Sequence, residues 1–192
     1  FLDSNLIKDL VSKLNGTIVE CNTAYPGKRN TTEAHWQTIK NHGFADIAPC
    51  DILDEEGETA LKVDGGKHLK ENYVGSHIKN YDSILMLSHF KGHAMGGLGG
   101  ALKNMSIGLA SSRGKLWIHN SGQGEDFDSI FTSDHNSFLE SMADADKSVI
   151  DYIGKDNLAY INVANNLSVD CDCNANPAEP EMDDIGIFAS LD

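Results

Sequence analysis

The sequence predicts an α/β fold: a layered structure with a mostly parallel sheet flanked by helices, plus a small β-hairpin insertion. Three observations carry that prediction. Strand-length apolar runs alternate along the chain with segments whose apolar residues recur at helical spacing. Residues 84–87, "ILML", are continuously apolar, as expected of a strand buried on both faces. At 192 residues the chain has the length of one domain with a sizeable core, so residues 1–192 are read as a single α/β domain.

In chain order, Ser4 and Asn5 cap a helix that runs through Leu6, Leu10, Val11 and Leu14 and stops at Asn15-Gly16. "TIVECNTA" reads as a strand. Thr31, Thr32 and Glu33 open a second helix through Trp36 and Ile39, stopping near His42-Gly43. "FADIAPCDI" reads as a further strand, weakened by Pro49. Over residues 54–75, "TALKVDG" and "KHLKENYVG" flank Gly65-Gly66 as in a hairpin, read as an insertion at the sheet edge. "YDSILMLSHF" is the next strand. Residues 101–112 have helical spacing through Leu102, Met105 and Leu109, and "GKLWIH" reads as a strand. "GQGEDFDSIFTSD" reads as an irregular loop. An amphipathic helix from Asn136 to Ile153 turns Phe138, Leu139, Met142, Val149 and Ile150 inward and is stopped by Gly154. "NLAYINVANNLSV" and "DIGIFAS" are the last strands.

Composition narrows the function. Fifteen basic and 29 acidic residues give a net charge of −14, which repels polyanions and argues against nucleic acid. No apolar run approaches the roughly 20 residues that span a bilayer, so a soluble protein without a membrane partner is expected. Four cysteines, two of them one residue apart, do not form a disulfide framework and suggest a reducing, cytoplasmic setting. Four Asn-x-Ser/Thr triplets, at Asn15, Asn30, Asn104 and Asn166, are read as chance matches. The chain starts at Phe1 and stops straight after an apolar segment, so native sequence is expected to be missing at both ends.

Two segments carry chemistry. The first, "SHFKGHAMGGLGGALKN", follows an apolar strand. Gly96, Gly97, Gly99 and Gly100 ahead of a helix have the layout in which backbone N–H groups hold an anion, and Lys103 stands one turn into that helix. The segment matches neither GxxxxGK[ST] nor GxGxxG, and a structural turn accounts for the glycines equally well. His89 and His93, four residues apart, can converge on a metal or serve as acid and base; hydrogen-bonded histidines without a ligand are the simpler alternative. The second segment is "DCDC". Cys171 and Cys173 are too close for an unstrained disulfide but can share one soft metal, and a mixed site forms if His89, His93 or His119 lies opposite. Two small residues in a turn is the plainer reading. Cys21 and Cys50 belong to apolar strands and are assigned to the core.

"SHFKGHAMGGLGGALKNMSIGLASSRGK" together with "INVANNLSVDCDCNANPAEPEMDDIGIFASLD" resembles the bacterial and archaeal domain of unknown function family 362. The resemblance spans about residues 81–192 and continues more loosely through "GTIVECNTAYPGKRNT". Members of that family are associated with iron–sulfur centres, and many carry a ferredoxin-like insert with two Cys-rich motifs after the "GK" segment. This chain has no cysteine between Lys115 and Asn136, so no ferredoxin-type cluster is implied. The resemblance implies a core site of His89, His93, Gly96, Gly97, Gly99, Gly100, Lys103 and the "DCDC" turn. It also implies a trimmed domain, since the family's segment continues past "ASLD" into a helix and begins with a strand ahead of "FLDSN". A histidine and a glycine pair followed by lysine after a strand is also similar to the lactate racemase group with its nickel-pincer nucleotide, which implies a phosphate-bearing, metal-carrying ligand.

The expectation is a metal- or cofactor-binding protein, redox-related, with its site between the 89–103 loop and the 170–173 turn. Its ligands would be His89, His93, Cys171 and Cys173, holding Fe, Zn or Ni. The alternative is a non-catalytic module that binds a small anionic, phosphate-bearing ligand or a protein partner.

Overall fold

The computed structural model describes residues 2–167, 179, 183 and 186–190. The predicted α/β class is correct: helices alternate with short strands, and the two pairings between strands distant in sequence, at either half of the chain, are parallel. Helix α1 (Ser4–Leu14) is capped by Asp3, whose carboxylate accepts from the Asn5 N–H, and ends at Asn15 in the left-handed conformation. Strand β1 (Ile18–Glu20) runs parallel to β2 (Cys50–Ile52). Between them lies α2 (Thr32–Asn41), whose cap Thr31 accepts from the Ala34 N–H. This is a strand–helix–strand crossover of the usual kind, and Pro49 precedes β2 rather than interrupting it.

The expected hairpin forms as β3 (Glu58–Lys62) against β4 (Glu71–Gly75), antiparallel, with Glu58 opposite Gly75. It is a sheet of its own, joined to the later chain by a bridge between Val74 and Ala110. Strand β5 (Ile84–His89) pairs in parallel with β8 (Leu158–Ala164), and β8 pairs antiparallel with β9 (Gly186–Ser190). Between β5 and β8 come a second hairpin, β6 (Lys91–His93) with β7 (Gly97–Gly99), and helix α3 (Ala101–Lys103), which runs on as a π turn over Asn104–Gly108. Helices α4 (Ser112–His119) and α5 (His135–Ile153) follow.

Three predicted elements are corrected. The strand read over "FADIAPCDI" begins as a 3-10 turn, Phe44–Asp46, and only Cys50–Ile52 pair as a strand. "GKLWIH" is not a strand but most of α4, because Ser111 accepts from the Gly114 N–H and starts a helix at once. The helix expected over residues 101–112 stops at the π turn, since Leu109 to Ser111 return to extended pairing with β4: Gly75 N–H donates to Leu109 O and Ser111 N–H to Tyr73 O.

Three apolar clusters hold these pieces together. Cys21, Leu53, Val74, Ile78, Met86, Met105 and Val149 pack β1, β4 and β5 against α5 and the π turn. Ile107, Ile118, Phe138 and Ala145 join α4 and α5 beneath Val63 and Leu69. Ile7, Ile39, Phe44 and Ile52 seat α1 and α2 on the other face of β1–β2. Each such side chain contributes roughly 1.5–3 kcal/mol of burial. The β1–β2 pair contributes to two of these clusters, Val19 to the first and Ile18, Cys50 and Ile52 to the third, so apolar side chains pack on both of its faces.

Helix α4 lies so close to β4 that a Cβ on Gly114 would stand 2.0 Å from Tyr73 O. Gly114→Ala is therefore expected to destabilise the protein on the order of 3 kcal/mol, read as a lower urea midpoint at unchanged slope. Within α5, Asp146 is buried, and its Oδ1 has no hydrogen-bond partner among the described residues. Burial pushes its carboxyl up to about 8. The native state then holds a proton that the unfolded chain releases above about pH 4, so stability falls as pH rises from about 4 to about 8. Asp146→Asn should flatten that fall in denaturation curves taken at pH 5 and pH 8, gaining several kcal/mol at the higher value.

Candidate functional site

Side chains able to do chemistry gather at three places, all fixed by the strands described above. The first is the end of β5. His89 closes the strand, and its Nε2 donates to Asn165 O at 2.8 Å, which leaves Nδ1 as the ring's lone-pair nitrogen. His93 ends β6, and its Nδ1 accepts from the Gly96 N–H at 2.9 Å, so its hydrogen resides on Nε2. Ala94, Met95 and Gly96 form the hairpin turn, and Gly97, at φ +71°, opens β7 opposite His93. Gly99 lies under Lys91, and Gly100 lies so near Asn162 that a Cβ would stand 2.9 Å from Oδ1. That same Oδ1 accepts from the Ala101 N–H at 2.8 Å, so a side chain already occupies the start of α3. Lys103 ends α3. The glycines thus make a hairpin between strand and helix where the sequence suggested a direct strand-to-helix turn. Cys171 and Cys173 lie outside the described residues. His119 is half-buried, stacked on Phe138 at 4.6 Å between ring centres, with Nδ1 donating to Lys115 O at 2.6 Å. Burial, offset in part by that bond, pushes its imidazole below the usual histidine range.

The second gathering was missed from sequence. Asp51 on β2, Glu55 in the turn after it and His77 in the turn after β4 place one ligand atom each within 4.8 Å of one another. His77 Nδ1 lies 2.8 Å from Asp51 Oδ1, and its Nε2 lies 3.3 Å from Glu56 Oε2. Tyr81 O–H donates to Asp51 Oδ2 at 2.7 Å, and Trp36 Nε1–H donates to Glu55 Oε2 at 3.0 Å. Asp51 and His77 are largely buried while Glu55 and Glu56 are exposed, so the group opens to solvent on one side. The Asp51 hydrogen bond holds the His77 imidazole above its usual range despite partial burial, and the Tyr81 hydroxyl is pushed up by burial and by the same carboxylate. The acidic run "DILDEE" was the available signal, but His77 comes from beyond the β3–β4 hairpin and nothing local points to it.

The third lies at the carboxyl ends of β1 and β2. Glu20 Oε2 receives Arg29 Nη1 at 2.8 Å and His35 Nε2 at 3.1 Å, and His35 Nδ1 faces Asn22 Oδ1 at 3.1 Å. Asn22 Nδ2 donates to Thr32 Oγ1. Asp54 accepts the Asn22 N–H at 2.8 Å through Oδ1 and the Ser112 N–H at 3.1 Å through Oδ2. Lys115 is buried beside this network, donating to Ala110 O at 2.5 Å, and burial lowers its ammonium. Cys21 is buried as assigned, and its thiol is pushed up to about 12, which makes it an inert core group; Cys50 is half-buried.

With this geometry in view, the chain can be set beside known proteins. A family model described as a domain of unknown function, DUF362, matches residues 1–192. The chain belongs to the DUF362 family. No curated protein and no solved structure matches it. Membership extends over the whole chain, beyond the residues on which the resemblance was first drawn, and so takes in the Glu20 network and the Asp51 group as parts of a DUF362 chain. Among its described residues no helix is long and apolar enough to cross a membrane.

For Glu20, burial raises the carboxyl, but the His35 hydrogen bond and the Arg29 charge outweigh it and hold the group at about 2. Its stabilising share is present above about pH 4.5 and is lost as pH falls toward 2. Glu20→Gln should lower the midpoint of urea denaturation at pH 7 and narrow the difference between pH 7 and pH 3.

Proposed function

We propose that this DUF362 chain is a divalent-metal-binding protein whose centre is the Asp51, Glu55 and His77 group. The observation that carries the reading is the placement of one ligand atom from each residue within 4.8 Å of the others. Two carboxylates and one imidazole form an oxygen- and nitrogen-rich donor set suited to Zn²⁺, Fe²⁺ or Mn²⁺ rather than to a soft thiolate-bound ion. Two negative charges balance the ion, which lowers the cost of holding it at a half-buried position. Three protein ligands leave coordination positions to water or substrate, the arrangement of catalytic rather than purely structural sites. Tyr81 and Trp36 fix the carboxylates from behind, and such outer partners orient ligands and tune their basicity.

Titration of Zn²⁺ and Mn²⁺ into chelator-stripped protein, followed by calorimetry, tests this. One ion per chain is expected, with affinity reduced about 10- to 100-fold or more in Asp51→Asn and in His77→Gln while Glu140→Gln binds as the parent does. Absence of stoichiometric binding, or equal binding by all four proteins, rules the centre out.

A second reading, a metal held by His89 with Cys171 and Cys173, which lie outside the described residues, is supported by one detail: the Asn165 carbonyl takes the His89 Nε2 hydrogen and leaves Nδ1 for a ligand. Metal analysis after reductant treatment separates the two, because a Cys171→Ser/Cys173→Ser chain loses metal only if this second site holds it.

A further inference from the structure

The backbone clamps the segment that carries Glu55 and Glu56 to the turn that carries His77. Leu53 O accepts from the His77 N–H at 3.0 Å and Gly57 O accepts from the Ser76 N–H at 3.0 Å, so the segment is held at both ends. The approach leaves no room for a side chain at the joint: a Cβ on Gly75 would stand 2.5 Å from Leu53 Cβ. Gly57, at φ +102°, closes the segment in a backbone conformation that favours glycine, and its N–H donates to Asp54 O. Glu56 is thereby placed by main-chain geometry, although its side chain is exposed.

Side-chain contacts then sort the heteroatoms of Asp51, Glu55 and His77. The Tyr81 hydroxyl takes Asp51 Oδ2 at 2.7 Å and Trp36 Nε1–H takes Glu55 Oε2 at 3.0 Å, which leaves Oδ1 and Oε1 for an ion. His77 follows the same pattern. Its Nδ1 lies 2.8 Å from Asp51 Oδ1, the oxygen that Tyr81 does not touch, while its Nε2 lies 3.3 Å from Glu56 Oε2. Two ligand atoms, each about 2.1 Å from one ion in a tetrahedral set, stand roughly 3.4 Å apart. The Asp51 Oδ1 and His77 Nδ1 pair needs only a small parting to admit one.

We propose that His77 ligates through Nδ1 and that Glu56 is its positioning residue, taking the Nε2 hydrogen so that the ring keeps one tautomer and one orientation; this rests on the metal-binding reading of Asp51, Glu55 and His77. On binding, the ion takes the place of the Nδ1 hydrogen, which leaves to water. A ligating imidazole whose other N–H is held by a carboxylate is fixed in orientation and made more basic. Each of the three ligands then gives one atom to the ion and has its second heteroatom held by a partner of its own: Tyr81, Trp36 or Glu56. The adjacent residues Glu55 and Glu56 thus play different parts, one as ligand and the next as the brace of another ligand.

The ring hydrogens can be read directly. Long-range ¹H–¹⁵N NMR follows the full chain with ¹⁵N-labelled histidine as Zn²⁺ is added, the His77 signals being identified by their loss in His77→Gln. Zinc should shift Nδ1 and remove its hydrogen while Nε2 keeps its own. In calorimetry Glu56→Ala should bind Zn²⁺ about 10-fold more weakly than the parent. Glu56→Gln, whose amide oxygen still accepts the Nε2 hydrogen, should stay within a few fold, a rescue that loss of charge alone would not give. Zinc on Nε2 with the hydrogen on Nδ1, Glu56→Ala binding as the parent does, or Glu56→Gln binding as weakly as Glu56→Ala overturns the assignment and leaves the centre standing. No zinc binding, or binding that leaves both His77 nitrogens unchanged, removes the centre and the assignment with it.

Discussion

The Asp54 carboxylate is the joint on which the rest of this structure depends. One oxygen takes the N–H of Asn22 just beyond β1, and the other takes the first N–H of α4. A single side chain thereby ties the ends of two parallel strands to a helix 58 residues further along. Hydrogen bonds from backbone N–H groups to an ionised acceptor are among the stronger ones in proteins, and here they replace the water that an exposed helix start would recruit. Beside that joint, Arg29 and His35 converge on one oxygen of Glu20, so the loop from Asn22 to Thr32 is held at both ends.

That polar framework positions the Asp51, Glu55 and His77 group. Asp51 and Glu55 flank the strand end that Asp54 anchors, and the Leu53 O to His77 N–H bond brings the turn after β4 beside them. The β6–β7 hairpin, a sheet of its own, follows β5 of the other parallel pair and packs on the second apolar cluster through Met95.

How much of this could be read from residues alone depended on whether the deciding partner was local. Helices α1, α2 and α5 were legible from apolar spacing with local start and stop signals, Thr31 capping α2 as read, although Asp3 rather than Ser4 and Asn5 caps α1 and Asp134 caps α5. Helix α4 was not, because two turns of mixed polarity carry little periodicity and Gly114 looks like a breaker; its reason for being glycine is the Tyr73 carbonyl, 41 residues away. The Asp51, Glu55 and His77 group was hidden for the same reason. Asp51 and Glu55 are neighbours in sequence, but His77 reaches them only after the β3–β4 hairpin has formed, and no spacing rule foresees that. His89, His93 and the glycines were singled out as a site; in the fold His89 ends β5, and His93, Gly97 and Gly99 lie in the β6–β7 hairpin.

The close seating of α4 on β4 has a consequence for motion. Gly114 abuts Tyr73 O, Ser111 N–H bonds the same carbonyl, and Gly75 N–H bonds Leu109 O, so residues 109–119 are effectively a third layer of the β3–β4 hairpin. Neither part can open alone. Amide hydrogens in the hairpin and in α4 should then exchange with solvent as one cooperative unit. Because that unit includes Ser112, whose N–H donates to Asp54, and Lys115 beside the same network, each opening also exposes the Glu20–Asp54 hydrogen bonds to solvent.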